Sequence, residues 1–349
     1  MALHDVIIAG AGIIGVSLAL ELRDRGARVL VLEEHEPGQG ASSAAAGMLA
    51  ATDPETPVAL RDFALESARL FPEFVKRVEA DSGISVDLRR QGTIVLGNGP
   101  FPENHRPLTP SELAKLEPDL DPGSHHAFFV AEDAVDPALL MRALLRAAEA
   151  NAIEIRPGTK VLGMQAAARA VEVRTNRGTL GCSQAVNCCG AWSGMPVRPR
   201  KGQMLYLRLE QPGLLEYVVR TPEAYLVPRS SGKILVGATV EDVGFNTDVE
   251  PAVIESLHLS AAKYVRQLAS APISESWAGL RPGTPDDLPL MGETENKGIF
   301  LATGHFRNGI LLAPATGRIM ARLMGREAPG MDLAAFAPQR FATANVQIG

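Results

Sequence analysis

The chain opens on a change of hydrophobic period. Asp5-Val6-Ile7-Ile8-Ala9 is a short apolar run with the length of a buried strand. It passes through Gly10-Ala11-Gly12-Ile13-Ile14-Gly15 into a stretch of helical character that continues to Arg25. Gly26 stops it, and Arg28-Val29-Leu30-Val31-Leu32 reads as a second buried strand ending at Glu33. Strand, glycine turn, helix, strand and acid stand in the order and length of a dinucleotide-binding βαβ unit. Each part has a physical task. Gly10 permits the tight turn, Gly12 lets the backbone approach a pyrophosphate, and Gly15 lets helix and strand pack closely. The helix N-terminus offers free N–H groups and a positive dipole end to the phosphates. Glu33, eighteen residues past Gly15, is placed to accept from both ribose hydroxyls, which disfavours NADP. NAD and FAD stay unresolved at this point.

Further along, Leu60 to Val78 has helical periodicity and Thr93 to Leu96 is a short β-rich run. Gly97 to Gly123 is proline-rich, with a helix near Ser111 to Leu116. A helix is predicted over Pro137 to Asn151, with Asp136 as N-cap and Pro137 in the first turn. Short strands follow at Glu154-Ile155, Lys160 to Gln165, Val171 to Thr175 and Gln184 to Cys188. From Arg198 to Pro282 the pattern shifts to longer alternating strands, clearest at Gln203 to Leu209, Ala224 to Pro228 and Lys233 to Ala238. A helix is expected over Glu250 to Ala269, then a buried strand at Gly298 to Ala302 and a helix over Ile310 to Met324. Gly38 to Ala51 is a run of small residues that reads either as an alanine-rich helix or as backbone lying close to a flat cofactor.

Composition narrows the class. The 349 residues allow two domains and a sizeable core. A net charge of −6, with no extended basic run, argues against nucleic acid as a partner. No apolar run has the length of a transmembrane helix, and the first strand starts where a signal peptide would lie. A cytoplasmic protein is expected, with peripheral membrane contact left open. Cys182, Cys188 and Cys189 suit a reducing compartment. The adjacent pair reads better as small apolar filler at a strand end than as a redox pair or metal ligands.

The cofactor unit therefore comes in three pieces, 1–80, 137–197 and 285–349, with a mostly antiparallel substrate domain from 81–136 and 198–284 inserted between them. An NAD dehydrogenase more often keeps its nucleotide domain in one block. A second glycine-rich turn, Gly304-His305-Phe306-Arg307-Asn308-Gly309, runs from strand to helix near the C-terminus. Its helix N-terminus is suited to negative charge on the N1–C2=O edge of a reduced flavin, which favours FAD.

The chain resembles the D-amino-acid oxidase family of FAD-dependent amine oxidoreductases, and within it the bacterial glycine oxidases of thiamine biosynthesis. The resemblance spans nearly the whole chain. It is carried by Gly10 to Gly15 with Glu33, Ser42 to Leu49, Gly190-Ala191-Trp192-Ser193, Lys201-Gly202-Gln203 and Tyr225 to Arg229. Val236 to Asp242, Gly279 to Asp286 and Gly304 to Pro314 are the more specific blocks. It implies an α/β fold with a Rossmann-like FAD-binding domain and noncovalent FAD, since no cysteine stands in the C-terminal part. It implies that Arg281 binds the substrate carboxylate, that Arg307 is a second active-site arginine, and that Tyr225 faces substrate. It places Ala45, Ala46, Gly47 and Met48 along the flavin, and the backbone of Val161 against adenine. By the same blocks Ile13, Ile14, Ser42, Ser43, Gly190, Trp192, Gly304, His305, Asn308, Gly309 and Ile310 contact the cofactor. Glycine oxidase-like proteins are commonly oligomers, so a homo-oligomer is compatible with the chain.

Flavin amine oxidation needs a neutral amine with its Cα–H aimed at flavin N5. A planar guanidinium that bonds both carboxylate oxygens fixes that geometry. The expected substrate is glycine, sarcosine or a small D-amino acid, with O2 accepting the electrons and giving H2O2. Other readings stay open. Arg281, read as part of a Gly/Pro-rich turn, can instead be a surface arginine or pair with Asp286 or Asp287. Arg307 can be structural, Tyr225 can be packing, and His305 fits the flavin-side turn better than a catalytic role. Arg198-Pro199-Arg200-Lys201 reads as a hinge or solvated patch. Gly190 to Gly194 has serine in the wrong place for a nucleophile elbow, and Asp286-Asp287 lacks a partner cluster for a metal. One rival is a dehydrogenase passing electrons from an amino acid or 2-hydroxy acid to a quinone. The other is a non-catalytic flavoprotein or NAD-binding regulator.

Overall fold

The apolar run at the start becomes the centre of a parallel sheet. The computed structural model describes residues 4–341 other than 100, 169, 195 and 210–212. Residues 342–349 of the predicted last cofactor segment therefore lie outside the described residues. His4–Ala9 is flanked in parallel by Val29–Leu32 on one side and Gly178–Asn187 on the other. Glu154–Arg156 and Ile299–Thr303 extend the parallel set outward, and Leu290–Glu293 closes one edge antiparallel. The two-residue period of the strands separates two apolar faces. Val6, Ile8, Val29 and Val31 turn to one face and pack with the helices Ile13–Asp24, Arg61–Ser82, Pro137–Ala150 and Gly309–Met324. Ile7, Ala9, Leu30 and Leu32 turn to the other, covered by the antiparallel pair Val161–Ala166 and Val171–Thr175. This gives the mixed α/β class that the first thirty residues predict. The N-cap at Asp136 is also as expected, its Oδ1 accepting from Ala138 N at 2.9 Å and Leu139 N at 3.2 Å.

A second eight-stranded sheet runs in the order Ile273–Gly283, Arg198–Arg208, Lys233–Gly237, Tyr225–Pro228, Val218–Arg220, Thr93–Gly97, His126–Val130, Arg106–Leu108. Every pairing in it is antiparallel except Val218–Arg220 with Thr93–Gly97. Leu205, Leu207, Ile234 and Val236 pack under the helix Pro251–Tyr264, while Met204, Val227 and Leu235 turn to the opposite face with Ala46.

Three local expectations are corrected. Arg198 to Lys201 is no hinge but the start of the strand Arg198–Arg208. Lys201 is only 1% exposed, with its ammonium 3.4 Å from a Glu241 oxygen and 3.2 Å from one of Glu250. Paired acids make that burial tolerable, and a short basic run does not display them. Arg281 lies in the strand Ile273–Gly283 rather than a turn. Its glycines and proline suit a close approach of backbones and mimic a turn in composition. The helix expected over Glu250 to Ala269 ends at Tyr264, where Val265 is extended, and a five-residue 3-10 turn follows.

Candidate active site

Both glycine-rich turns open into one cavity of about 870 Å3, inside the range of roughly 300–1,000 Å3 typical of small-molecule sites. At the first turn Gly10 has φ +102°, and a Cβ there would lie 2.4 Å from the Cys188 carbonyl oxygen. A Cβ on Gly15 would lie 2.0 Å from Gly10 O, so this glycine lets the helix close onto the turn. Gly12 is the helix N-cap and carries no capping side chain; Ser42 Oγ accepts from Ile13 N at 3.0 Å. Glu33 is held at the strand end, its Oε2 accepting from Ala11 N at 2.8 Å and its Oε1 from His35 N at 3.0 Å. Glu33 and Val161 both line this end of the cavity.

The small-residue run forms turns, not a helix. A Cβ on Gly279 would meet the Ala44 Cβ at 2.6 Å, and Trp277 Nε1 donates to Ala44 O at 3.1 Å. Arg229, buried, donates to Ala46 O at 2.6 Å and Val135 O at 3.0 Å. Gly47 has φ +77°, and a Cβ there would lie 1.9 Å from Val135 O. Only small residues pass between the two sheets at this point, which is why the run is composed of them. Arg229 belongs to a block singled out in the sequence, but its clamp on the run is visible only in three dimensions.

At the second turn the helix Gly309–Met324 starts with Asn308 as N-cap and no side-chain cap bond, its first turn facing the cavity. His305 is buried, with Nε2 3.1 Å from Thr316 Oγ1, and burial pushes its pKa down to about 3. A neutral imidazole in this setting is a poor base near neutral pH, in keeping with a packing role. Trp192, 41% exposed, stands at the cavity wall with its ring 5.6 Å from that of Phe245. Burial holds the thiols of Cys188 and Cys189 protonated, the latter pushed up to about 12. That agrees with filler rather than reactive sulfur.

The two arginines differ in their surroundings. Arg281 Nη1 donates to Thr239 O at 3.0 Å and Lys201 O at 3.4 Å. Among the described residues no carboxylate lies within ion-pair distance of it; Asp286 pairs instead with Arg340 at 2.8 Å. Arg307, 35% exposed, lies 2.6 Å from Glu55 and 3.7 Å from Asp53. Asp53 also meets Arg220 at 2.9 Å, and Arg220 meets Glu132 at 2.8 Å. The acids of this chain were not among the predicted site residues, because they lie far from Arg220 and Arg307 in sequence. Tyr225 shares the cavity with Arg281; burial raises its phenol above the ordinary value while the guanidinium opposes the shift. All the predicted site residues line the cavity except Gly15, which packs beneath the turn, and Ser43, whose Oγ donates to Gly40 O at 3.4 Å. Among the described residues there is no cluster of groups able to hold a metal, and no helix is long and apolar enough to cross a membrane.

Residues 5–323 match the family model described as FAD dependent oxidoreductase. The chain is 32% identical to the hydrogen cyanide synthase subunit HcnC of Pseudomonas aeruginosa, over 97% of this chain and 96% of that protein. It is 35% identical to the bifunctional protein ThiO/ThiG of Trichormus variabilis over 97% of this chain, which spans only 55% of that longer protein. Among solved structures, glycine oxidase from Geobacillus kaustophilus superposes with a TM-score of 0.91 at 32% identity, over 96% of this chain and 98% of that one.

Proposed function

Because the chain belongs to the family of FAD-dependent oxidoreductases, we propose that it oxidises a small amino acid or amine whose carboxylate is held by Arg281. The observation that carries this reading is the Arg281 guanidinium, which faces the cavity with no carboxylate partner among the described residues. A planar cation fixed on backbone carbonyls is suited to a carboxylate arriving from solution.

The residues present fit FAD. Gly10, Gly12 and Gly47 line the cavity with no side chain of their own, the helix Gly309–Met324 presents an N-terminus without a side-chain cap, and Glu33 is fixed at the strand end. In this reading Gly10 to Gly15 and Glu33 hold the AMP half, with Val161 beside the adenine, and the 45–48 run and the 304–310 turn hold the flavin. Among the described residues, those of 1–80, 137–197 and 285–349 belong to the cofactor unit, and those of 81–136 with 198–284 to the substrate unit. No cysteine follows Cys189 in the sequence, in keeping with a noncovalent cofactor. When bound, FAD supplies the acceptor for a hydride from the substrate Cα and passes the electron pair to O2, giving H2O2. The chain itself binds and orients: Arg281 fixes the carboxylate, Tyr225 borders the substrate, and the helix start at Gly309 favours negative charge beside it. The substrates favoured are glycine, sarcosine and small D-amino acids.

Anaerobic mixing of the purified yellow protein with a panel of amino acids, N-methyl amino acids and 2-hydroxy acids tests this. Bleaching of the flavin band by a small amino acid, with peroxide formed on admitting air, is expected. No bleaching by any member refutes the reading, and bleaching without peroxide refutes O2 as acceptor. The relative named for hydrogen cyanide synthesis makes cyanide a second product to assay with glycine.

A further inference from the structure

We propose that Gly202 is a positioning residue whose missing side chain forms the seat of the Arg281 guanidinium, and so sets where the substrate carboxylate is held. The proposal deepens the reading of Arg281 above and rests on it.

The face of the antiparallel sheet that turns to the cavity is built in rows. Met204 stands opposite Trp277 on one side and Gly237 on the other, and Gly237 stands opposite Tyr225. Two residues along, Gly202 stands opposite Gly279, so this row carries no side chain on either strand. Arg281 follows Gly279 on the same face and pairs with Arg200, which makes Gly202 its diagonal neighbour. A long side chain spans that diagonal, and here the guanidinium lies across Gly202. A Cβ on Gly202 would stand 2.2 Å from Nη1, 2.4 Å from Nη2 and 2.5 Å from Cζ of Arg281. The carbonyls of Thr239 and Lys201 hold the group in that place.

Backbone geometry does not require a glycine here, since the φ of Gly202 lies outside the left-handed region. What a methyl group would meet first is the far end of a flexible side chain. At Gly10 and Gly47, by contrast, the first atoms met are backbone carbonyls. Gly202→Ala is therefore expected to leave the strand in place and to displace the guanidinium. A displaced guanidinium makes a longer and less well aligned contact with the substrate carboxylate, which weakens binding even when every group is still present.

The test uses holoenzyme of the wild type, G202A, R281A and the double variant. Four quantities are measured: FAD content, melting temperature, the Kd for acetate read from the flavin spectrum, and steady-state kinetics on the best amino acid. G202A should keep its FAD and melting temperature. Its acetate Kd and its KM should rise about ten- to hundred-fold, the range expected for one charge-assisted contact, with kcat changed much less. R281A/G202A should bind acetate no worse than R281A. An unchanged acetate Kd in G202A overturns the proposal. So does an equal further loss in the R281A background, or a G202A chain that fails to fold, since either places the conflict with the strand. A wild-type holoenzyme that binds no carboxylate removes the reading of Arg281 itself, an outcome distinct from these.

Discussion

Removing Arg281 should damage substrate binding far more than removing Arg307, although both arginines line the same cavity. The perturbation is Arg281→Met against Arg307→Met, each keeping an unbranched apolar stem. Arg281 bonds backbone carbonyls and meets the Tyr225 phenol, with no carboxylate in ion-pair distance among the described residues, so its charge is left to be matched by a ligand. One charge-assisted contact to a carboxylate contributes about 1.5–3 kcal/mol, roughly ten- to 150-fold in KM. Arg307 is already matched by Glu55 at 2.6 Å and Asp53 at 3.7 Å, at a partly exposed position. Exposed pairs of this kind are worth about 0–1 kcal/mol, so the KM change there should stay below roughly fivefold. The assay is initial-rate kinetics at saturating O2 on the amino acid that best reduces the flavin, with a carboxylate-free amine alongside. R281M should lose its discrimination between the two compounds while keeping FAD bound. Equal KM values in R281M and wild type, or a larger loss in R307M, would refute the reasoning.

Two further outcomes follow from the geometry. Gly47→Ala meets both a left-handed φ of +77° and a backbone oxygen 1.9 Å away. It should lose more than about 3 kcal/mol of stability, seen as a fall in melting temperature and FAD content; a normal melting curve would contradict the packing of the small-residue run. Glu117 is buried where its Oε1 accepts from the backbone N–H groups of Glu216 and Tyr217, and burial raises its pKa to about 7. The folded state then holds the proton more tightly than the unfolded one. Stability from this group is full below about pH 4.5 and is lost as pH rises toward 7, by about 3 kcal/mol. Glu117→Gln should flatten chemical denaturation midpoints between pH 5 and 8, and an unchanged slope would show that the carboxyl is ionised throughout.

Local features were legible without the fold. The apolar run from Asp5 to Ala9, the glycines at 10, 12 and 15, and the terminal acid Glu33 are all encoded within a few turns of chain. The helix start at Asp136-Pro137 is likewise local, since a carboxylate cap and a proline act on their immediate neighbours. Misreadings arose where the decisive partner is distant. Arg198 to Lys201 looked like a solvated patch because Glu241 and Glu250, which neutralise Lys201, come later in the chain. Arg281 looked like part of a turn because glycine and proline are turn residues by composition, whereas here they serve close packing of sheet against loop.

By itself the sequence determined a strand–turn–helix unit of dinucleotide-binding form, and which blocks of residues line the cavity beside it. Periodicity and glycine placement act through the backbone of adjacent residues, so they survive without tertiary information. The tertiary structure alone decided which arginine, among the described residues, has no carboxylate partner and which is neutralised, and that Gly202 receives the guanidinium while Gly279 receives Ala44. Those facts depend on the register between strands and on the meeting of loops far apart in the chain. A one-residue slip in that register would turn the glycines to the opposite face of the sheet.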